Sequence, residues 1–269
     1  MRALSIMYHD VVEDAKFDSS GFSGESANSY KLRREDFARQ LEAIRSAVPE
    51  GAVSLISQRR ALGIPPPVFL TFDDGGSSAH WPIAAMLESY GWRGHFFVTT
   101  GRIGSPGFLS QAQVYDLHRR GHVIGSHSHS HPTRMAALAP DAMEREWRDS
   151  LARLAAILGE TVKVASVPGG YYSRRVGRSA AAAGIEVLFN SEPSAAASSI
   201  DGCLVLGRYV VKRGMGPEWA AGFAAGRRAP RWKQAALWNS KRMVKMLSGG
   251  AYLKLREALF EKGKTRTEP

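Results

Sequence analysis

The chain has 269 residues, of which 44% are hydrophobic, so its length and composition are those of a globular protein with a large core. Disorder as the main state is excluded. A single cysteine, Cys203, excludes an internal disulfide framework and a cysteine-rich zinc module. No stretch approaches the ~20 consecutive apolar residues that a membrane-spanning helix needs, so an integral membrane protein is not indicated.

The net charge of +11 is concentrated towards the carboxyl end of the chain. Residues 227–269 contain twelve basic and three acidic side chains, a local charge of +9 that leaves only +2 for the remainder. The first apolar run, residues 4–8, is too short for the core of a secretory signal and is typical of a strand. We therefore expect a nearly neutral body with a basic tail, located in the cytoplasm.

Strand-like and helix-like segments alternate along most of the chain, which is typical of an α/β fold with a parallel sheet. The predicted strands are residues 4–8, 68–72, 95–98, 122–124, 162–164, 185–189 and 203–211. The predicted helices are one with Phe37, Leu41, Ile44 and Val48 at helical spacing, capped by Asp36, and then residues 80–90, 111–120, 141–158 (capped by Asp141) and 174–183. This order favours a small closed barrel of the TIM type, in which the chemistry lies at the carboxyl ends of the strands.

Two adjacent carboxylates, Asp73 and Asp74, follow the predicted strand 68–72 and are themselves followed by two glycines. Neighbouring residues at a strand end project in different directions, so one carboxylate can bind a metal while the other faces a bound water. The alternative interpretation is that this segment is only a turn, because Asp and Gly are common turn residues.

Three histidines alternate with serines after the predicted strand 122–124, namely His127, His129 and His131. A core strand would carry larger apolar groups there, and imidazole nitrogens suit zinc and related metals. The separation of four residues lets His127 and His131 meet at one ion, whereas His129 is expected to lie behind the metal or to point away. The alternative is a polar loop with incidental histidines.

A third strand end carries Gly169, Gly170 and Tyr171. Glycines let a ligand approach the backbone closely, and exposed amide groups there could donate to a developing oxyanion. The alternative is a plain turn followed by core tyrosines.

Together these motifs resemble the polysaccharide deacetylase family, the NodB-homology domain of carbohydrate esterase family 4. The resemblance covers roughly residues 4–212 and rests on four segments: Thr71 to Gly75, Gly121 to Pro132, Phe96 to Val98, and Tyr8 to Asp10. It implies a distorted (β/α)7 TIM-like barrel over residues 1–213. A basic, tryptophan-containing helical extension is expected over residues 214–269.

The resemblance also implies a ligand set and an activity. Asp74, His127 and His131 would bind a divalent metal, with zinc favoured over cobalt, nickel or iron, and Asp73 would be the general base. The substrate would be an acetylated carbohydrate, with removal of an N-acetyl group favoured over an O-acetyl group. A backbone amide near Gly169 to Tyr171 would then stabilise the oxyanion.

Three positions depart from the family pattern. Ser166 stands where the family has an arginine that orients the catalytic aspartate, and Arg174, Arg175 or Arg208 could replace it. Arg208 stands where the family has a histidine that protonates the leaving group. Because arginine stays protonated, Arg208 can stabilise charge but is a poor proton donor. The remaining candidates for the acid are, in order, His9, His129 and His95, besides a water on the metal. The family's Asp-Trp pair is not recognisable around residues 190–192.

The tail interleaves basic residues with apolar and aromatic ones, including Trp232 and Trp238. This pattern suits an amphipathic helix on an anionic membrane surface. The alternative is a set of helices that pack on the barrel with a solvated basic face. Nucleic acid is the least favoured partner, because no nucleic-acid-binding motif accompanies the charge.

The combined prediction is a cytoplasmic deacetylase, peripheral at the membrane, that acts on a polysaccharide or a lipid-linked saccharide during exopolysaccharide or surface-glycan assembly. Two rival hypotheses remain. One is an amidase that cleaves linear or cyclic amides such as ureides on the same scaffold. The other is a non-catalytic carbohydrate-binding relative, which the joint presence of all four candidate metal-site residues disfavours.

Overall fold

A computed structural model describes residues 2–57 and 65–248, with residues 241–248 as backbone alone, and its main feature is a nine-stranded sheet. The strands of the molecule are β1 (Leu4–Tyr8), β2 (Val11–Val12), β3 (Leu32–Arg33), β4 (Val68–Phe72), β5 (His95–Val98), β6 (Val123–Ser126), β7 (Val164–Ser166), β8 (Val187–Phe189), β9 (Ser198–Ile200), β10 (Cys203–Leu206) and β11 (Tyr209–Val210). The order in the sheet is β11-β1-β4-β5-β6-β7-β8-β10-β9, and β2 pairs separately with β3.

Every neighbouring pair in the large sheet is parallel except β10 with β9. The sheet curls so that the start of β1 returns to the segment before β9: Ala3 donates its amide to the Ala195 carbonyl, and Arg2 forms a bridge with Ala196. Among the residues that the structure describes, no ladder joins the edge strands β11 and β9. The distorted TIM-like barrel is confirmed, and its ring is closed by this short contact instead of by a complete set of parallel pairs.

The helices lie between the strands, as an α/β fold requires. They are α1 (Glu25–Asn28), α2 (Arg34–Ala47), α3 (Ala85–Ser89), α4 (Gln111–Arg119), α5 (Pro140–Leu158), α6 (Arg174–Ala182), α7 (Pro217–Ala224) and α8 (Arg228–Ser248). The helix predicted over residues 80–90 is divided into a 3-10 turn over Ser77–Ala79, a π-helical turn over His80–Ala84, and α3. Ser110 caps α4 through a complete capping box with Gln113, which explains where that helix begins.

The core forms where the sheet meets its helices. β1, β4 and β5 are buried along their whole length, because helices cover a parallel sheet. Helix α2 buries Phe37, Leu41 and Ile44, in agreement with their predicted spacing. Helix α7 lies in the predicted extension, and it buries Ala220 and Phe223 in the same cluster as β1.

Some element bounds differ from the predicted ones. Asp36 and Asp141 lie in the first turns of α2 and α5 and do not cap them, because the residues at the cap positions are Arg33 and Ala139. Their carboxylates still stabilise the two helices by interacting with the positive ends of the helix dipoles. The final predicted strand, 203–211, divides into β10 and β11, with Arg208 between them.

Helix α8 begins the basic tail and docks on the sheet edge. The Gln234 side chain accepts from the Val210 amide at 2.9 Å and donates to the Val210 carbonyl at 2.7 Å. Trp232 is 78% exposed on the same helix. Within the described part of the chain, none of the helices combines the length and apolarity that crossing a membrane would require. The tail residues after 248 that entered the membrane prediction lie outside the described residues.

Candidate metal centre and proton-accepting site

The paired carboxylates lie in a tight turn at the carboxyl end of β4. The Asp73 amide donates to the Tyr8 carbonyl at 3.1 Å, and the Asp74 carbonyl accepts from the Thr99 amide at 3.2 Å. Asp74 adopts a left-handed conformation with φ 75°, which Asp tolerates better than most residues. The turn therefore fixes both backbones against β1 and β5 and sends the two carboxylates to different partners.

Asp74, His127 and His131 form a compact cluster. The Oδ1 atom of Asp74 lies 3.4 Å from the Nε2 atom of each histidine. The three potential ligand atoms lie within 4.8 Å of one another, and in the part of the chain that the structure describes this is the one such group. His131 reaches the cluster through a backbone with φ 61°. Burial alone would raise the pKa of Asp74, but its contacts with His127 and His131 hold it well below its ordinary value.

The donor set fits a divalent cation of the zinc type. The His127 Nδ1 atom lies 2.5 Å from the Ser166 hydroxyl and 3.2 Å from the Ser166 carbonyl. Because the carbonyl can only accept, Nδ1 carries the proton, and the lone pair of Nε2 is directed towards Asp74. Two imidazoles and one carboxylate leave further coordination positions open, as a catalytic ion requires.

His129 does not join this cluster. Its Nδ1 atom lies 3.1 Å from the Thr100 hydroxyl, and its carbonyl accepts from the Gly101 amide. The loop is instead held by Glu146 of α5, which accepts from the amides of His129 at 2.9 Å and Ser130 at 2.8 Å and from the Ser130 hydroxyl at 2.5 Å. The sequence gives no sign of this role for Glu146.

Asp73 forms a buried ion pair with Arg208. The two guanidinium nitrogens donate to the two carboxylate oxygens at 2.6 and 2.7 Å, and Arg208 has no solvent exposure. Its Nε atom donates to the Asn190 carbonyl at 3.0 Å. Burial alone would raise the pKa of Asp73, but the charge of Arg208 and its hydrogen bonds hold it below its ordinary value. Asp73 is therefore a carboxylate at neutral pH, in a fixed orientation.

Arg208 thus takes the position expected of an orienting arginine, although it comes from the turn between β10 and β11. Arg174 and Arg175 are both exposed on α6. Asp73 also binds Ser166, whose hydroxyl donates to the Asp73 Oδ1 atom at 3.2 Å. Arg208 therefore holds Asp73, and Ser166 contacts both Asp73 and His127.

The candidate proton donors differ in their surroundings. His95 is completely buried in the core, where it accepts from the Ile56 amide and donates to the Leu70 carbonyl, so it does not face the site. The ring of His9 packs on Tyr30 at 4.7 Å, and its buried Nδ1 atom has no hydrogen-bond partner within the described ranges. Burial lowers the pKa of His9, although the charges of Asp74 and Asp73 oppose this shift. His9 as the acid stays a prediction.

The segment at the end of β7 packs against the chain that follows His131. Gly169 has φ 67°, and a Cβ atom there would lie 2.3 Å from the Thr133 carbonyl oxygen, so only glycine fits. Gly170 is also left-handed, with φ 71°. The Arg134 guanidinium lies 5.1 Å from the centre of the Tyr171 ring. The three predicted oxyanion residues therefore lie beside the ligand loop, and their donor role stays a prediction.

Comparisons with known proteins agree with this geometry. A family model described as polysaccharide deacetylase matches residues 63–188, which include Asp73, Asp74, His127 and His131. Among curated proteins, the inferred polysaccharide deacetylase YxkH of Bacillus subtilis is 25% identical over 215 residues, covering 78% of this chain and 71% of YxkH. A gellan lyase of Bacillus is 31% identical over 101 residues, but this stretch is 4% of that protein.

Solved structures show the same fold. The Streptococcus pyogenes deacetylase PplD, in complex with acetate, has a TM-score of 0.65 and 24% identity and covers 81% of this chain and 96% of its own. IcaB from Ammonifex degensii has a TM-score of 0.66 and 19% identity, with coverage of 83% and 97%. The Bacillus cereus polysaccharide deacetylase BC0361 has a TM-score of 0.68 and 16% identity, with coverage of 83% and 69%.

Proposed function

We propose that the chain, which matches the polysaccharide deacetylase family model over residues 63–188, is a divalent-metal-dependent hydrolase that removes N-acetyl groups from a carbohydrate. The observation that supports this most strongly is the adjacency of two sites with different chemistry. One is the cluster of Asp74, His127 and His131, and the other is the Asp73 carboxylate held by Arg208.

Asp74, His127 and His131 are the residues that would hold the cation. When bound, a divalent cation supplies a Lewis acid for the acetyl carbonyl and makes a water molecule more acidic. Asp73 accepts a proton from water as the water oxygen bonds to the acetyl carbon. Arg208 keeps Asp73 deprotonated before this step and orients both of its oxygens.

The leaving nitrogen must gain a proton as the carbon–nitrogen bond breaks. Arg208 cannot supply it, because a guanidinium does not deprotonate at any working pH. Protonated Asp73 can return the proton it has taken, and His9 is the second candidate. The amides of residues 169–171 would stabilise the negative charge on the acetyl oxygen. The products are acetate and a free amine on the sugar.

The proposal is tested with purified full-length chain, supplied with zinc, on N-acetylated oligosaccharides, with loss of acetyl groups followed by mass spectrometry. Asp73→Asn is expected to lower kcat by about 10²- to 10⁴-fold, which is the usual contribution of a general base. A thermal melt shows whether the variant is folded, since Arg208 loses its charged partner. Full activity of a folded Asp73→Asn variant would contradict the proposed role.

The same panel separates the rival hypotheses. Hydrolysis of linear or cyclic amides, without any action on acetylated saccharides, would favour the amidase. Binding of saccharides without hydrolysis would favour the non-catalytic relative.

The cellular setting is a further part of the proposal. We infer a cytoplasmic enzyme that acts on a polysaccharide or lipid-linked saccharide in surface-glycan assembly. Peripheral contact with an anionic membrane rests on the sequence of the basic tail and on the exposure of Trp232 and Leu237 on α8. Equal sedimentation with and without anionic liposomes would refute the membrane contact.

A further inference from the structure

An aromatic pair with a cation on it borders the candidate metal centre. The ring of Phe22 lies 4.7 Å from that of His131, and it packs edge to face with Phe108 at 5.0 Å. The Arg102 guanidinium carbon lies 5.4 Å from the centre of the Phe22 ring and 5.9 Å from that of Phe108. Arg102 is exposed, so it presents its charge to solvent one ring away from a candidate ligand.

Two further cations repeat this arrangement at other residues of the site. The Arg134 guanidinium lies 5.1 Å from the ring of Tyr171, in the predicted oxyanion segment. The Lys212 ammonium lies 4.2 Å from the ring of Tyr30, which itself packs on His9. We call Arg102, Arg134 and Lys212 the aromatic-backed cations.

The charges of these three residues have no acidic partner in the part of the chain that the structure describes. None of the ion pairs formed within the described ranges includes an aromatic-backed cation. The Nε atom of Arg134 is moreover buried without a hydrogen-bond partner in the described structure. The central carboxylates cannot serve them, because Asp73 is bound by Arg208 and Asp74 faces two histidines.

Unpaired cations around a site attract anionic ligands. They do not slow the binding of neutral ligands. A guanidinium also matches the two oxygens of a carboxylate or phosphate, and stacking on a ring restricts its motion before the ligand arrives. We propose that the aromatic-backed cations select an acetylated carbohydrate that carries a carboxylate or phosphate group over a neutral one. This inference rests on the proposed function and names its substrate class.

The test compares kcat/KM for matched substrates. The first pair is the neutral N-acetylglucosamine tetramer and a tetrasaccharide of equal length that alternates N-acetylglucosamine with glucuronate. The second pair, N-acetylglucosamine and its 1-phosphate, shows whether phosphate serves in place of carboxylate. We expect an anionic member to be favoured by about tenfold or more, and the preference to shrink as NaCl is raised.

Variants assign the preference to named residues. Arg102→Gln and Lys212→Gln are each expected to reduce the preference several-fold while leaving kcat/KM on the neutral tetramer nearly unchanged. Arg45→Gln is the matched control, because Arg45 is also exposed and lies 5.7 Å from a ring, that of Tyr90. That ring packs on Trp92 and not on a residue of the site.

The outcomes separate this inference from the proposed function. Equal kcat/KM for neutral and anionic substrates, or a preference unchanged in both variants, would overturn the inference and leave deacetylation intact. If no substrate loses acetyl groups, the proposed function fails. The inference is then tested by calorimetry, which measures the binding of the two tetrasaccharides to the Asp73→Asn variant. Tighter, salt-sensitive binding of the anionic one, weakened by adding Arg102→Gln, supports it; equal binding or none refutes it.

Discussion

Ser166 is the residue that joins the two parts of the candidate site. Its hydroxyl lies 2.5 Å from the His127 Nδ1 atom and donates to the Asp73 Oδ1 atom at 3.2 Å. A hydroxyl can accept one hydrogen bond and donate another at the same time. One side chain therefore sets the orientation of both a candidate metal ligand and the candidate base, at the position where the family has an arginine.

Ser166→Ala is expected to weaken both functions. Loss of a group that holds a metal ligand costs roughly 10- to 100-fold in metal affinity or activity, so we predict a fall of that size in kcat. Ser150→Ala is the control, because Ser150 is equally buried and its hydroxyl bonds to Ser126 and not to the site. Unchanged kcat and metal affinity in Ser166→Ala would show that the bridge has no functional role.

The buried His95 is expected to make the stability of the folded protein sensitive to acid, independently of the metal site. Burial lowers the pKa of His95 from 6.5 to about 4, because desolvation in the core disfavours the charged ring. The unfolded chain binds this proton more readily, so stability is complete above pH 6.5 and is lost as the pH falls towards 4. The loss amounts to roughly 3 kcal/mol.

Thermal melts across this pH range test the prediction against His95→Gln. The carboxylates of the site titrate in both proteins, so they cancel in the comparison. The variant is expected to be less stable at pH 7 and to lose less stability than the wild type between pH 6.5 and 4. Parallel pH profiles would contradict the assignment.

The site residues that the sequence predicts stand in short local motifs, the Asp-Asp pair and the alternating histidines. Asp73 and Asp74 are adjacent, and the structure brings Asp74 together with His127 and His131 as the motifs predict. The sequence does not predict the roles of Ser166 and Glu146, which stand in no such motif and whose partners lie 93 and 17 residues away. A serine or a glutamate has no local pattern that reveals such a partner.

At the scale of elements, helix α5 and the loop after β6 form one unit. The Glu146 carboxylate on α5 accepts three hydrogen bonds from His129 and Ser130, between the two candidate histidine ligands. These bonds hold the loop so that His131 can reach back to Asp74. The helix thus contributes to the candidate metal centre without providing a ligand.

Glu146→Gln keeps the shape of the side chain but replaces one acceptor oxygen with a donor. We predict weaker metal binding by roughly tenfold, as for other groups that hold ligands in place, with little change in helix content. Glu144→Gln on the same helix is the control, because Glu144 is exposed and pairs with Arg148 at 3.9 Å. Equal metal affinity in the two variants would contradict the role of Glu146.

The sequence predicts the bounds of an element correctly where the element is a fully buried apolar run. The strands 4–8, 68–72 and 95–98 have the predicted bounds, because apolar runs coincide with buried strands. β6 and β7 extend two residues further than predicted, into Ser126 and Ser166, because sheet pairing continues through small polar residues. The π-helical turn at 80–84 has no pattern of its own that would have predicted it.

At the scale of the whole molecule, the start of the predicted extension packs with the barrel. Phe223 of α7 is fully buried and its ring stacks on Tyr209 of β11 at 5.0 Å. Gln234 and Arg231 of α8 contact the same edge strand, Arg231 by donating to the Tyr209 hydroxyl at 2.7 Å. The boundary at residue 213 stays a prediction, and packing links the residues on its two sides.

Phe223→Ala is expected to destabilise the whole protein by about 3–5 kcal/mol, as a large core truncation does. If α7 belongs to the barrel core, one unfolding transition moves to lower denaturant concentration without splitting. Trp232→Ala is the control on α8, because Trp232 is exposed, and a change within about 0.5 kcal/mol is expected. A separate early transition in Phe223→Ala would show that the extension unfolds by itself.

If Asp74, His127 and His131 bind a catalytic metal, as we propose, the ion is expected to be found in the purified protein. Plasma mass spectrometry is expected to find close to one divalent ion per chain after zinc is supplied and excess is removed. A double variant, Asp74→Asn with His127→Gln, should lose that ion while remaining folded. Absence of metal from the wild type, or equal metal in both proteins, would contradict the account.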